Sequence, residues 1–222
     1  MKFIHADSAK ECAKVLAERI ILELNEQKKV LWLIAGGSNL PIATATMDLI
    51  RVEQNDENLE RLAVTLTDER YGKEGHKDSN FKQLLDEGFN TTGVQIVPIL
   101  VKDLSVNQTV DLWGKKVTEL ISWADVVIAQ FGMGTDGHIA GVVPHSVGVT
   151  STAPAVAFTD PKFTRISLPL PMLKIVNVAH AFVFGASKHE AIHNLKKELT
   201  LAEEPAQILK QIEEAHLYSD QV

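Results

Sequence analysis

The amino-acid sequence predicts an α/β fold: a doubly wound, mostly parallel sheet with helices on both faces, Rossmann-like in plan. Three observations carry that expectation. Short apolar runs rich in β-branched residues, Val30-Leu-Trp-Leu-Ile-Ala35 and Ala124-Asp-Val-Val-Ile-Ala129 foremost, suit strands covered on both faces. Helical patterns alternate with such strands through most of the chain, as crossovers between parallel strands require. Polar clusters follow several strands directly, and open α/β sheets bind ligands at those strand ends.

Ser8-Ala-Lys-Glu11 reads as a capping box opening a helix to about residue 26, with Cys12, Val15, Leu16 and Ile20 on one side. The first strand, 30–35, runs into Gly36-Gly-Ser-Asn39, and a helix over 39–51 follows with Pro41 in its first turn. A second strand at 63–67 ends at Asp68-Glu-Arg70. A polar loop then leads to a short helix over 78–85, capped by Asp78 or Ser79. A third strand is expected over 95–100, then a helix over 106–122 with Val110, Trp113, Val117 and Leu120 inward. The strand at 124–129 leads into Gly132-Met-Gly-Thr-Asp-Gly-His138. Further on, 154–158 and 163–168 read as strands around a turn at Asp160-Pro161, paired antiparallel at a sheet edge. A short helix over 171–176 and a strand over 178–184 follow. Ser187-Lys-His-Glu190 reads as a second capping box, opening a helix to about residue 199. Residues 203–211 look helical, and 215–219 suit a last strand.

With 222 residues, no internal repeat and no linker, one domain spanning 1–222 is the simplest organisation. A net charge of −7 without a dense Lys/Arg cluster argues against a nucleic-acid surface. It leaves room for an anionic small molecule, which needs only local N–H groups and one or two cations. No apolar stretch reaches the length of a bilayer span, and the first residues lack a signal peptide's apolar core. The single cysteine, Cys12, sits on the apolar side of its helix, as in a reducing, cytoplasmic setting. No Cys/His spacing resembles a zinc site, so no metal is expected. Oligomeric state stays open between a monomer and a small homo-oligomer.

Three clusters carry candidate chemistry. In Gly132–His138 the glycines let the backbone turn sharply and approach a ligand. His138 can exchange a proton near neutral pH, and Asp136, two residues before it, can orient the ring. Read alone, the same string also fits a turn with an exposed imidazole. Gly36, Gly37 and Ser38 stand between a strand and a helix, where amides and a hydroxyl hold phosphate; a tight turn with a capping serine is the plainer alternative. Lys188 lies in the first turn of its helix, an unfavourable place for a cation unless an anion binds there; a solvated lysine fits as well. Arg165 stands mid-strand, which suits an exposed face or an anion partner. Asp68 and Arg70 mark another strand end on the same edge. His76 and Asn80 belong to a polar loop that helps shape a site or simply caps a helix. His189 and His193, one turn apart, suit a solvated helix face, and Trp32, Trp113 and Trp123 suit core packing.

Taken together, Ala35-Gly-Gly-Ser38, Leu66-Thr-Asp-Glu-Arg70, His76-Lys-Asp-Ser-Asn80, Gly132–His138, Arg165-Ile-Ser-Leu168 and Gly185–Lys188 resemble the 6-phosphogluconolactonase family, within the group that includes glucosamine-6-phosphate deaminases. The resemblance covers about residues 31 to 188 in family order. It implies a cytosolic, cofactor-free hydrolase of the pentose phosphate pathway acting on a phosphosugar lactone. The family phosphate site maps onto Gly37, Ser38, Arg165 and Lys188, with Gly36 beside them. The family histidine maps onto His138, flanked by Asp68, Arg70 and Asp136. This chain departs from lactonase wording at Asn39-Leu-Pro41 and at Ile139-Ala-Gly-Val-Val143, and His138-Ile-Ala140 is closer to the deaminases. Against deaminase stand Val143, where that family places a glutamate, and Arg70, where it favours tyrosine. The alternatives are therefore a glucosamine-6-phosphate deaminase and a non-catalytic sugar-phosphate sensor.

Overall fold

In the computed structural model, which describes residues 1–222, the chain opens with strand β1 (Lys2–His5), then helix α1 (Ala9–Asn25) and β2 (Val30–Ile34). There follow α2 (Leu40–Glu53), α3 (Asp56–Leu59), β3 (Leu62–Leu66), β4 (Asp68–Arg70), α4 (Asn80–Asp86), β5 (Gln95–Val97), α5 (Val106–Trp123) and β6 (Val126–Phe131). The remainder is β7 (Val156–Thr159), β8 (Thr164–Ser167), α6 (Leu170–Leu173), β9 (Val178–Phe182), α7 (His189–Leu195) and β10 (Glu214–Ser219).

The two strands expected to be covered, β2 and β6, are buried along their whole length, and so are β3 and β9. They stack in a seven-stranded sheet of order β1-β10-β9-β6-β2-β3-β5 in which every neighbouring pair is parallel. At β3, alternation of side chains serves two layers. Thr65 accepts a 3.1 Å hydrogen bond from Trp113 Nε1 of α5. On the opposite face Trp32, level with Val64, packs on Phe89 just beyond α4, ring centroids 5.8 Å apart. From β2 the chain winds outward through β3 and β5, then returns to the other side of β2 as β6 and winds outward through β9 and β10. The switch point is the gap between β2 and β6, where the loops leaving adjacent strands diverge and open a crevice.

β4, β8 and β7 form a separate three-stranded antiparallel sheet. This corrects two expectations. Asp68–Arg70 is not a loop tail but a strand of its own, and the hairpin around Asp160 pairs with it rather than with an edge of the main sheet. Thr67 is the joint: its N–H bonds Ile34 O in the main sheet at 2.9 Å, while its carbonyl accepts Leu168 N–H at 3.0 Å.

Other differences are local. β1 was not foreseen; its four residues are ordered by parallel pairing with β10. α1 is capped by Ser8 as expected, but the Glu11 carboxylate accepts the N–H of Asp7 rather than of Ser8. The capping box at Ser187 is absent: a tight turn, Ala186–Lys188, precedes α7, no side chain caps it, and the helix ends at Leu195. Residues Pro205–Gln211 form a tighter 3₁₀ helix. Cys12 is fully buried, and burial pushes its thiol up to about 12, so it is an unreactive core residue. No helix is long and apolar enough to cross a membrane.

Candidate active site

The loop after β2 approaches its neighbours so closely that glycine is required. A Cβ on Gly36 would overlap the Asn80 side chain, and Gly37 adopts φ +70, which L side chains rarely take. The turn Gly37–Asn39 leads into α2, and Asn39 pins it. Asn39 Nδ2 donates to Phe182 O at the end of β9 (3.2 Å), and its carbonyl accepts from Gln130 Nε2 of β6 (2.7 Å). A polar Gln130 inside a buried strand thus ties the glycine turn to the switch point. Ser38 caps nothing; it is exposed, and its hydroxyl makes no hydrogen bond within the chain.

From β6 the second loop turns through Gly134 N–H to His138 O (2.9 Å) and Gly137 N–H to Gly134 O (3.2 Å). It folds Asp136 back onto the imidazole. His138 Nδ1 lies 2.6 Å from Asp136 Oδ1, which also accepts the His138 backbone N–H at 3.2 Å. The hydrogen bond from His138 holds the Asp136 carboxyl down at about 2, against the raising effect of burial, so it is a carboxylate throughout the neutral range. An ionised Asp136 accepts the Nδ1 proton and leaves the lone pair of the neutral ring on Nε2. Gly134 is glycine because a Cβ there would overlap both side chains. From below, Ala206 N–H holds Gly137 O at 2.9 Å and the buried Glu204 packs against Gly137.

The short second sheet forms the opposite wall. On β4 alternation turns Asp68 and Arg70 to one face and Glu69 to the other. Asp68 is buried and receives Thr67 Oγ1 at 3.1 Å, with Asn80 Nδ2 on its carbonyl at 3.0 Å. Gly141, at φ +73, lies so close that a Cβ would stand 2.6 Å from Asp68 Oδ2. Arg70 Nη1 donates to Asp78 O at 2.9 Å, and His76 Nε2 meets Arg70 O at 2.9 Å. Glu69 is fully buried and accepts from Ser79 Oγ and from the N–H groups of Arg70, Asn80 and Phe81 at 2.6–3.0 Å. Burial raises its carboxyl against those four donors. It caps the first two N–H groups of α4 from eleven and twelve residues away and shapes the 71–79 loop. Arg165 of β8 lies directly opposite Arg70. It is ion-paired with Asp160 and, at 3.6 Å, with Asp68 Oδ2.

These pieces meet in one cleft of about 280 Å³ at the ends of β2, β3 and β6. It brings together Gly36, Gly37, Ser38, Asp68, Arg70, His138, Arg165 and Lys188, with Asp136 behind His138. Lys188 occupies the residue just before α7 rather than lying within it, and burial pushes its ammonium down while Asp136 pulls it up. Asp68 is the one carboxylate in the lining; Arg70, Lys162 and Lys188 have no ion-pair partner within the chain. Charge is therefore unbalanced in favour of an anionic ligand. Asn39, Gly141, Lys162 and Phe163 also line the cleft and were not foreseen. For Phe163 a signal existed: two residues before Arg165 on a strand, it shares that residue's face. His145, His189 and His193 are exposed, and Trp32 and Trp113 are core residues.

Among proteins of known identity, the 6-phosphogluconolactonase of Pseudomonas aeruginosa is 29% identical over 168 residues, 74% of this chain and 65% of that relative. The matched part thus spans about 65% of the curated relative's length. Among solved structures, the 6-phosphogluconolactonase of Thermotoga maritima superposes with a TM-score of 0.80 at 18% identity, covering 98% of both chains. That of Trypanosoma brucei gives 0.77 at 16%, covering 99% of this chain and 96% of the other. A monomeric glucosamine-6-phosphate deaminase gives 0.82 at 16%, covering 100% and 98%. At such identities these likenesses establish a shared fold, common to both activities. The sequence model of one family matches residues 5–218, nearly the whole chain. This protein belongs to the glucosamine-6-phosphate isomerases/6-phosphogluconolactonase family.

Proposed function

We propose that the cleft hydrolyses 6-phospho-D-glucono-1,5-lactone to 6-phospho-D-gluconate, in the cytoplasm and as a step of the pentose phosphate pathway. One observation carries this reading: an aspartate-oriented imidazole, 2.6 Å from its carboxylate, shares a cleft with a glycine turn, a free serine hydroxyl and a lysine. The phosphate rests on the Gly37 and Ser38 region and on Lys188, with Arg165 beside them. Anchored there, the lactone presents C1 to His138, so remote binding fixes the reacting carbon against the base.

His138 Nε2 removes a proton from water as its oxygen bonds to C1, and the carbonyl electrons move onto oxygen. Arg70 stabilises that oxyanion. Collapse breaks the bond from C1 to the ring oxygen, which takes the proton back from the imidazolium. The carboxylic acid formed then loses a proton to solvent. Asp136 keeps the ring in the tautomer that this sequence needs, and Asp68 orients sugar hydroxyls.

The deaminase reading is favoured by His138-Ile-Ala140 and by the fold shared with the monomeric deaminase. Val143, at the position of that family's ring-opening glutamate, and a lining with a single carboxylate weigh against it. The discriminating experiment gives the purified protein fresh 6-phosphogluconolactone, scoring acid release above the spontaneous rate, and glucosamine-6-phosphate, scoring ammonia. Lactone turnover without ammonia is expected. Ammonia without lactone turnover would make it a deaminase, and silence on both with phosphosugar binding preserved would make it a sensor.

A further inference from the structure

The register of β4 and β8 sets Arg70 directly across from Arg165, both turned into the cleft. Like charges facing each other across an antiparallel pair repel and weaken it. Arg165 is compensated by the Asp160 and Asp68 carboxylates. Arg70 has none: one hydrogen bond to Asp78 O holds it, and its buried Nε has no partner. What stands beside both is an aromatic ring. The Arg70 guanidinium carbon is 5.3 Å from the Phe163 centroid, and that of Arg165 is 5.7 Å. A ring face attracts cations at such distances.

We propose that Phe163 is a positioning residue of the phosphosugar site. Its ring holds the two guanidinium groups side by side against their mutual repulsion, so that both are set before the anion arrives. The identity of that anion rests on the function proposed above. For Arg70 the ring supplies what carboxylates supply for Arg165, without neutralising the charge that an anionic ligand needs. Preorganisation of this kind spares the ordering of two long side chains on binding. The hairpin does not depend on the ring for its shape: Asp160 Oδ1 accepts the N–H groups of Lys162 and Phe163 at 2.7 and 2.8 Å and closes the turn. Phe163 itself is only partly buried.

The test compares Phe163→Leu and Phe163→Tyr, alone and combined with Arg70→Met, by calorimetry with 6-phosphogluconate and with inorganic phosphate, and by lactone kinetics. Leucine should weaken 6-phosphogluconate binding about tenfold, and tyrosine should restore it to within about threefold. In the Arg70→Met background the leucine substitution should change binding by less than about twofold, because its effect passes through Arg70. The thermal midpoint of Phe163→Leu should stay within about 3 °C of wild type. Equal losses with and without Arg70, failure of tyrosine to rescue, or no loss on leucine substitution would each overturn the proposal. A wild type that binds 6-phosphogluconate but leaves the lactone intact removes the hydrolase and leaves Phe163 to be judged by the binding cycle. A wild type that binds neither probe ends the positioning proposal too.

Discussion

Replacing Gly134 by alanine puts a methyl group against the Asp136–His138 pair. Gly134 does not have a left-handed φ, so its backbone accepts alanine and the conflict lies with side chains alone. The new carbon would fall within 2.5 Å of His138 Nδ1 and Cε1 and of Asp136 Oδ1, whereas real Cβ contacts stay beyond 3.0 Å and are ordinary from 3.4 Å. The imidazole must therefore retreat by about 1 Å, a misplacement that costs on the order of 100-fold in rate. That factor corresponds to about 2.7 kcal/mol of lost transition-state stabilisation. The ring is about one-third exposed, with a side-chain accessibility of 34%, so it can swing toward solvent instead of straining the core. We expect kcat on fresh lactone to fall about 100-fold while 6-phosphogluconate affinity stays within about twofold, since the glycine turn and Lys188 are untouched. Gly114→Ala is the control: it lies within α5, its Cβ would meet Pro154 at 3.4 Å, and it is not part of the cleft lining. It should leave kcat unchanged and stabilise the helix by about 0.5–1 kcal/mol. Full turnover by Gly134→Ala would refute the claim that the position of this imidazole sets the rate.

Asp136→Asn removes the charge that steadies the imidazolium; kcat should drop about 10- to 100-fold with phosphosugar binding retained, and an unchanged kcat would strip Asp136 of its orienting role. Glu69→Gln places an amide NH₂ against N–H donors at the start of α4. It should cost about 1–3 kcal/mol, lower the thermal midpoint by several degrees and raise KM through Arg70 and Asn80; a variant as stable as wild type would contradict the capping assignment. His180 packs beside Phe182 and Tyr218 in one aromatic cluster, both its ring nitrogens lack partners, and burial lowers it to about 4 from 6.5. The unfolded chain therefore takes up this proton first as pH falls. The stability that the neutral ring confers is complete above about pH 6.5 and is lost as pH falls toward about 4, by up to about 3 kcal/mol. His180→Phe should flatten that loss in denaturation curves at pH 7 and pH 4.5; an equally steep loss would locate acid sensitivity elsewhere.

Most of the fold was legible because its parts announce themselves locally. β2 and β6 are unbroken apolar runs, and the glycines that follow them are imposed by close approach at Gly36 and Gly134. The Asp136-x-His138 spacing is enough for the loop to fold a carboxylate onto an imidazole. What stayed hidden depends on contacts distant in sequence. Three consecutive charges at 68–70 carry no strand signal, and only β8, almost a hundred residues away, makes them one. Glu69 looked like a third member of a polar cluster, yet alternation turns it away from Asp68 and Arg70 and into the start of α4. At Ser187 the pattern of a capping box was present, but Gly185, at φ +97, steers the chain into a tight turn that starts the helix later. The pairing of Arg165 with Asp160 needed the hairpin to close first.

Steady-state kinetics of His138→Asn beside wild type on fresh 6-phosphogluconolactone, with 6-phosphogluconate calorimetry on both, confronts the account at its centre. Loss of the proposed general base should cut turnover by about 10²- to 10⁴-fold and leave the dissociation constant within about twofold. An asparagine variant that turns over at the wild-type rate would show that some other group activates the water.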